Sequence, residues 1–273
     1  MKRYRYKHKK YRYKKHYRVR RKKSIFRSRF FWLSFLFFII LGAAFYFLVF
    51  SSFFQVKEIK ISGNIKVPVE DIRNIISDKV DKRIVFFNLK NILLADLKEI
   101  DKIILEKFPQ IARVSLDRDF PDVLAAQIEE RKPVAVFVRG ENYFYIDKTG
   151  VIFEEVSEPF QMLKIKLTLV PDLELGKRIV DEKDITQILK INSKLNDLKI
   201  PLEELLIISE RRLNAETSEG WQVYFNPKGD LDWQLAELDI LLEERIPPDK
   251  RGNIEYIDLR FEKIYIYPET YRE

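Results

Sequence analysis

Side chains that could carry acid–base, nucleophilic or metal chemistry are sparse in this sequence and poorly spaced for it. The two histidines, His8 and His16, lie near the N-terminus, and there is no cysteine. Everything downstream therefore lacks a His-based triad, a His zinc site and a Cys nucleophile. G-x-S-x-G, P-loop and G-x-G-x-x-G patterns are absent, and S-x-x-K does not occur after residue 50. Adjacent carboxylates do occur, such as Glu129-Glu130, Glu154-Glu155 and Glu243-Glu244. A two-carboxylate glycosidase needs only such groups at a set separation. With 42 acids in the chain, adjacency says little, and the pairs read as solvated surface. Asp117-Arg118-Asp119 could hold a cation, but a charged turn with Arg118 pairing locally is the better reading. The sequence points to no catalytic residue, no metal site and no cofactor.

Charge is distributed unevenly. Residues 1–29 hold 16 Lys/Arg and no acid, while the remainder holds 34 bases against 42 acids. The formal net charge of +8 thus describes neither part. The basic tail has no apolar period and repels itself, so it is expected to be disordered. Tyr4, Tyr6, Tyr11, Tyr13 and Tyr17 are interleaved with the bases, a pattern that could bind nucleic acid. The same bases would be drawn to anionic lipid headgroups, at roughly 1 kcal/mol per Lys or Arg near the surface.

The apolar run after the tail favours the lipid, so no specific nucleic acid is expected. Residues 30–50 are 21 residues without a charge. As a helix they span about 31 Å, close to a bilayer core of roughly 30 Å. Trp32 and Tyr46 lie near the two ends, where amphipathic rings prefer the interface. A signal peptide would have a shorter apolar region and a small-residue cleavage site, and Ser51-Ser52-Phe53-Phe54 supplies none. The segment reads as an uncleaved anchor. The charge bias places the tail in the cytoplasm and residues 51–273 outside. No disulfide framework can form there.

The exported body changes texture near Arg131. Before it, a strand is expected over Phe54–Ile61, with a bulge at Lys57-Glu58 where the alternation slips. A turn at Gly63-Asn64 and a helix over Val69–Lys79 come next. A longer helix capped by Asn88 should align Leu89, Leu93, Leu97, Ile100, Ile104 and Phe108. Two strands flank the turn at Asp119–Asp122. Two helices on one face of a three-stranded sheet would bury this stripe. After Pro133, PVAVFV, YFYID and VIF read as a meander. Helices are expected over Asp184–Leu198 and Asp230–Arg245, the latter capped by Asp230, with strands near Leu205–Ser209 and Trp221–Phe225. A long final strand is expected over Asn253–Tyr267. It places Phe261, Tyr265 and Tyr267 on one face and Ile264 and Ile266 on the other. Such a strand is either buried on both faces or an edge that accepts another chain by β-augmentation.

A basic tail and one anchor, then FQVKEIKISGN, then LEKFPQIARVSLDRDFPDVLAAQIEERKPVAVF, YFYIDKTGVIF and YIDLRF, resemble the bacterial cell-division FtsQ/DivIB family. The resemblance covers the whole body. It implies an α+β fold: one N-terminal transmembrane helix, a POTRA domain (β-α-α-β-β, 54–131), then a mostly antiparallel β domain with flanking helices (132–273). It implies a non-catalytic scaffold of the divisome, acting in septum assembly and enriched at the septum. It also implies that coiled-coil division proteins of the FtsB/FtsL type bind the last strands, and that other divisome proteins meet the POTRA domain. The partner-binding residues it implies are Tyr256, Asp258, Arg260, Phe261, Ile264, Tyr265 and Tyr267. The aromatic after D-L-R is a contact in the family, and its arginine can pair with a partner carboxylate; these become Phe261 and Arg260. Where the family often has Tyr, this chain has Phe261. A secretion or outer-membrane POTRA protein is the alternative, disfavoured because no barrel-length strand series is present. An anchored cell-wall hydrolase is a third reading.

Overall fold

A computed structural model describes residues 28–84, 87–157, 162–169 and 172–268. Most of the basic tail, and with it the expectation of disorder, lies outside these residues. The chain divides into two compact units, Met1–Ser51 and Ser52–Glu273. In the first, helix α1 (Arg29–Phe50) has no buried residue and is long and apolar enough to cross a membrane.

The second unit opens with a three-stranded sheet. Strands β1 (Glu58–Ser62), β4 (Ile111–Asp119) and β5 (Val123–Glu130) lie in the order β1-β5-β4. Helices α2 (Val69–Val80) and α3 (Leu97–Lys107) cover one face. Their Ile72, Ile76, Ile100 and Ile104 pack with Leu124, Ala126 and Ile128. This is the expected β-α-α-β-β order, with a small hairpin, β2 (Lys82–Ile84) and β3 (Phe87–Leu89), between the helices.

Three expectations need correction here. The first strand begins at Glu58, not Phe54. Val56 N–H donates to the Lys90 carbonyl and Lys57 N–H to that of Asp122, so the chain changes partner at the position expected to bulge. The long helix starts at Leu97 rather than after Asn88. Asp96 accepts from the N–H groups of Lys98 and Glu99 at 3.2 Å each, and this cap within D-x-x-E prevails. Asn88 instead sits in β3 opposite Arg83. Arg118 does not pair locally: it lies in β4 and donates to the carbonyls of Ile92 (2.8 Å) and Ala95 (2.6 Å).

The rest of the chain forms one nine-stranded sheet. Strands β6 (Ala135–Arg139), β7 (Asn142–Ile146) and β8 (Ile152–Val156) make the expected meander. Then come β9 (Lys164–Leu167), α4 (Glu182–Asp197), β10 (Leu202–Ser209), β11 (Arg212–Thr217) and β12 (Gln222–Phe225). Helix α5 (Leu231–Ile240) continues into a π turn at Leu241–Arg245, and Asp230 caps it through Trp233 N–H. Short strands β13 (Tyr256–Asp258) and β14 (Tyr265–Tyr267) end the fold. The order is β14-β13-β12-β11-β10-β9-β6-β7-β8.

Strands β9 and β11 are additions to the expected elements. Five pairings are antiparallel; β6–β9, β9–β10 and β12–β13 are parallel. Two of the parallel joins follow from the helices. A crossover helix returns the chain to a parallel neighbour, and α4 does so for β9 and β10, α5 for β12 and β13. Ile185, Ile188 and Ile191 of α4 and Leu235 and Leu238 of α5 then bury against Phe137, Trp221 and Phe225.

The two sheets meet at a polar joint. Arg131 Nε donates to the Pro109 carbonyl, and its Nη1 pairs with Asp147, with side-chain exposures of 14% and 5%. Asp147 also accepts from the N–H and hydroxyl of Thr149 and the N–H of Val151. Gly150 is required in this turn: at φ +81° a Cβ would meet the Val180 carbonyl oxygen at 1.8 Å. Glu130 accepts from the N–H groups of Ile65, Lys66 and Val67, and Lys66 pairs with Glu154 at 2.9 Å. Glu130 and Glu154, each one of an adjacent carboxylate pair expected to be solvated surface, therefore hold the joint.

Burial alone would raise both the Glu130 and the Asp147 carboxyls. For Glu130, the three N–H groups and the Lys66 charge outweigh it and hold the pKa below its ordinary value. For Asp147, the Thr149 hydroxyl, the Val151 N–H and Arg131 do the same. Stability from both is therefore complete above the unfolded carboxylate pKa and lost as pH falls through the folded one. Asp147→Asn should cost about 3 kcal/mol at neutral pH in urea unfolding, because it strands a buried guanidinium. The gap from wild type should stay constant above about pH 5 and narrow only as pH falls below about 4.

Candidate functional site

The expected long final strand is instead a hairpin. Asp258 accepts from the N–H of Arg260 at 3.1 Å, a local turn that ends β13, and Leu259 is buried there. The Arg260 guanidinium folds back onto the same carboxylate through Nε–Oδ1 (2.8 Å) and Nη2–Oδ2 (2.6 Å). This hydrogen bond raises the arginine's pKa further. The chain reverses, and β14 pairs antiparallel with β13: Tyr256 opposite Tyr267, Ile257 opposite Ile266, Asp258 opposite Tyr265. β14 is a terminal strand of the sheet, and no strand among the described residues pairs with its outer side.

The alternation survives the reversal. Phe261, Tyr265 and Tyr267 are 54%, 43% and 44% exposed, while Ile264 and Ile266 pack on the core. Burial on both faces is thereby excluded. Tyr256 is half-buried and stacks between Tyr224 (4.9 Å between centroids) and Tyr267 (5.4 Å), and Phe261 meets Tyr265 edge-on at 6.1 Å. Arg260 lies over Tyr224 and Phe261, and Arg212 over Tyr224 at 4.6 Å.

Of the seven residues expected to bind a partner, the structure thus presents Phe261, Tyr265 and Tyr267 directly. Tyr256 and Arg260 lie half-buried beside them, Asp258 is buried and engaged by Arg260, and Ile264 packs on the core. Tyr224 and Arg212 belong to the same face and were missed. The alternation of Gln222-Val223-Tyr224-Phe225 marks Tyr224 as outward once Val223 and Phe225 are core. Arg212 lies on β11, for which the sequence reading had no strand.

Carboxylates gather elsewhere, in a cleft of about 860 Å³ whose lining includes Asp181, Asp184 and Glu210 with Arg178, Lys183 and Lys228. Burial, then Asp181 and Glu210, push the Asp184 carboxyl up. The adjacent pair Asp181-Glu182 lines this cleft, whereas Glu129-Glu130, Glu154-Glu155 and Glu243-Glu244 do not. Among the described residues no cluster of three or more His, Cys, Asp or Glu could hold a metal ion.

Two family models match the chain. One, described as "POTRA domain, FtsQ-type", covers residues 54–131. The other, "Cell division protein FtsQ/DivIB, C-terminal", covers 135–260 and so includes β13 and the Asp258–Arg260 turn but not β14. Among similar proteins, the cell division protein DivIB of Clostridium acetobutylicum is 26% identical over 222 residues, 79% of this chain and 83% of that one. DivIB of Clostridium botulinum is 24% identical over 77% of this chain and 80% of its own. The cell division protein FtsQ of Hahella chejuensis is 25% identical over 58% of this chain and 52% of its own.

The tyrosine stack predicts a measurable contribution to the hairpin. Tyr256→Leu keeps an apolar side chain but removes two ring contacts, and should lower stability by about 1 kcal/mol in urea unfolding. Tyr224→Leu should then cost less in the Tyr256→Leu variant than in the wild-type chain.

Proposed function

The chain belongs to the FtsQ/DivIB family of cell-division proteins, and from that premise we propose that it is a single-pass scaffold of the division machinery. In this reading the tail (1–29) is cytoplasmic and near anionic headgroups, and residues 30–50 cross the membrane. The POTRA domain (54–131) and the β domain (132–273) work outside it. The POTRA domain meets other divisome proteins, and the C-terminal edge holds FtsB/FtsL-type coiled-coil proteins, linking early and late components at the septum. Nothing in the reading requires catalysis.

The observation that carries it is the outer side of β14, which no strand among the described residues pairs with, beside exposed Phe261, Tyr265 and Tyr267. An incoming strand would take its backbone bonds from this edge and its specificity from the rings. Arg260, already oriented by Asp258, would meet a partner carboxylate without first being ordered.

A fluorescent fusion should concentrate at the septum of dividing cells; uniform membrane fluorescence at every stage would refute the division-site role. Phe261→Ala should weaken binding of FtsB/FtsL-type partners by about 2 kcal/mol, or about 30-fold, as a central aromatic anchor would. Its unfolding midpoint should hardly move, since the ring is exposed. Unchanged affinity would remove Phe261 from the site.

A further inference from the structure

The end of the POTRA domain where the chain emerges from α1 gathers exposed apolar side chains from three segments. Ser52–Phe54 forms a single helical turn. The Phe54 carbonyl accepts from Ile92 N–H at 2.9 Å, and Val56 N–H donates to Lys90 at 2.8 Å, which fixes the turn at residues 91–94 beside it. Lys57 N–H donates to the Asp122 carbonyl at 2.9 Å, and the Lys57 ammonium neutralises the Asp122 carboxylate at 2.7 Å. That brings the β4–β5 turn to the same end. There Phe53, Leu93, Leu94 and Phe120 are 53%, 41%, 38% and 59% exposed. One exposed apolar residue is ordinary, but four from three segments at one end form a patch.

We propose that this end of the POTRA domain seats in the headgroup–acyl boundary of the membrane, with Phe53, Leu93, Leu94 and Phe120 as the inserted side chains. The inference rests on the reading of α1 as a membrane span. Phe53 follows Phe50, the last residue of α1, by three positions. At about 3.5 Å per residue it lies no more than about 10 Å along the chain from that helix end. Interfacial segments bury apolar side chains about 5–10 Å into the same zone. The tether therefore holds this patch where lipid is the nearest apolar surface. Seating would also limit how far the C-terminal edge swings about the anchor.

The cysteine-free sequence makes the test direct. Single cysteines replace Phe120, Leu93, Phe38 within α1, and Ile65, which is 83% exposed beyond the far end of β1. Each carries an environment-sensitive fluorophore in the full-length protein, reconstituted into phosphatidylcholine vesicles with and without spin-labelled lipid. Quenching should be strong at Phe38 and several-fold greater at Phe120 and Leu93 than at Ile65. Quenching at Phe38 with Phe120 and Leu93 no different from Ile65 would overturn the proposal, leave the span intact and assign the patch to a protein partner. No quenching at Phe38 would overturn both.

Discussion

The pair between Arg131 and Asp147 is the constraint from which the extramembrane architecture follows. Arg131 is the residue just after β5, and Asp147 opens the turn between β7 and β8. One guanidinium thus reaches the Pro109 carbonyl on one side and a buried carboxylate on the other. Asp147 in turn shapes its own loop through Thr149 and Val151, and Gly150 lies against the Val180 carbonyl just before α4. A buried ion pair adds little net stability over a well-packed apolar replacement. Its use here is directional: a fork of fixed geometry sets the angle between the two sheets more tightly than apolar contact would. Lys66 with Glu154 adds a second, solvent-exposed contact between the two sheets, and Glu130 holds the Lys66 backbone in place for it.

Legibility in the sequence followed the range of the interactions. Where a local period decides, sequence and structure agree: Ile72, Ile75 and Ile76 on α2, Ile185 and Ile188 on α4, and the alternation of Leu124, Ala126 and Ile128 on β5. Where a cap or turn competes with a period, the period misleads. The stripe from Leu89 to Phe108 is continuous in sequence, but Asp96 starts the helix late. The alternating stretch from Asn253 to Tyr267 reads as one strand, but Asp258 turns it back. The roles of Glu130 and Asp147 are hidden in the sequence, because their partners stand about 64 and 16 residues away. The aromatic face is half legible for the same reason. Phe261, Tyr265 and Tyr267 share a parity along the chain, whereas Tyr224 joins them only through the parallel pairing of β12 with β13.

The edge itself poses a physical problem. A strand whose outer side meets no other strand among the described residues, and which carries exposed aromatics, invites association with any extended chain. β14 limits this by being three residues long, so a wrong partner gains only a few backbone bonds. The same brevity means that backbone pairing cannot supply most of a right partner's affinity. In the proposed binding mode that would come from side chains, and the ones available are held by their neighbours. Tyr256 is clamped between Tyr224 and Tyr267, and Phe261 is flanked by Tyr265 and Arg260. Ordering them in advance lowers the entropy lost on binding. Asp258 has a double part in this: it makes the turn that exposes the edge, and it directs the arginine beside it. If the edge binds a partner as proposed, selectivity would be a property of the turn as much as of the rings, and the partner would have to match both the short ladder and the arginine next to it.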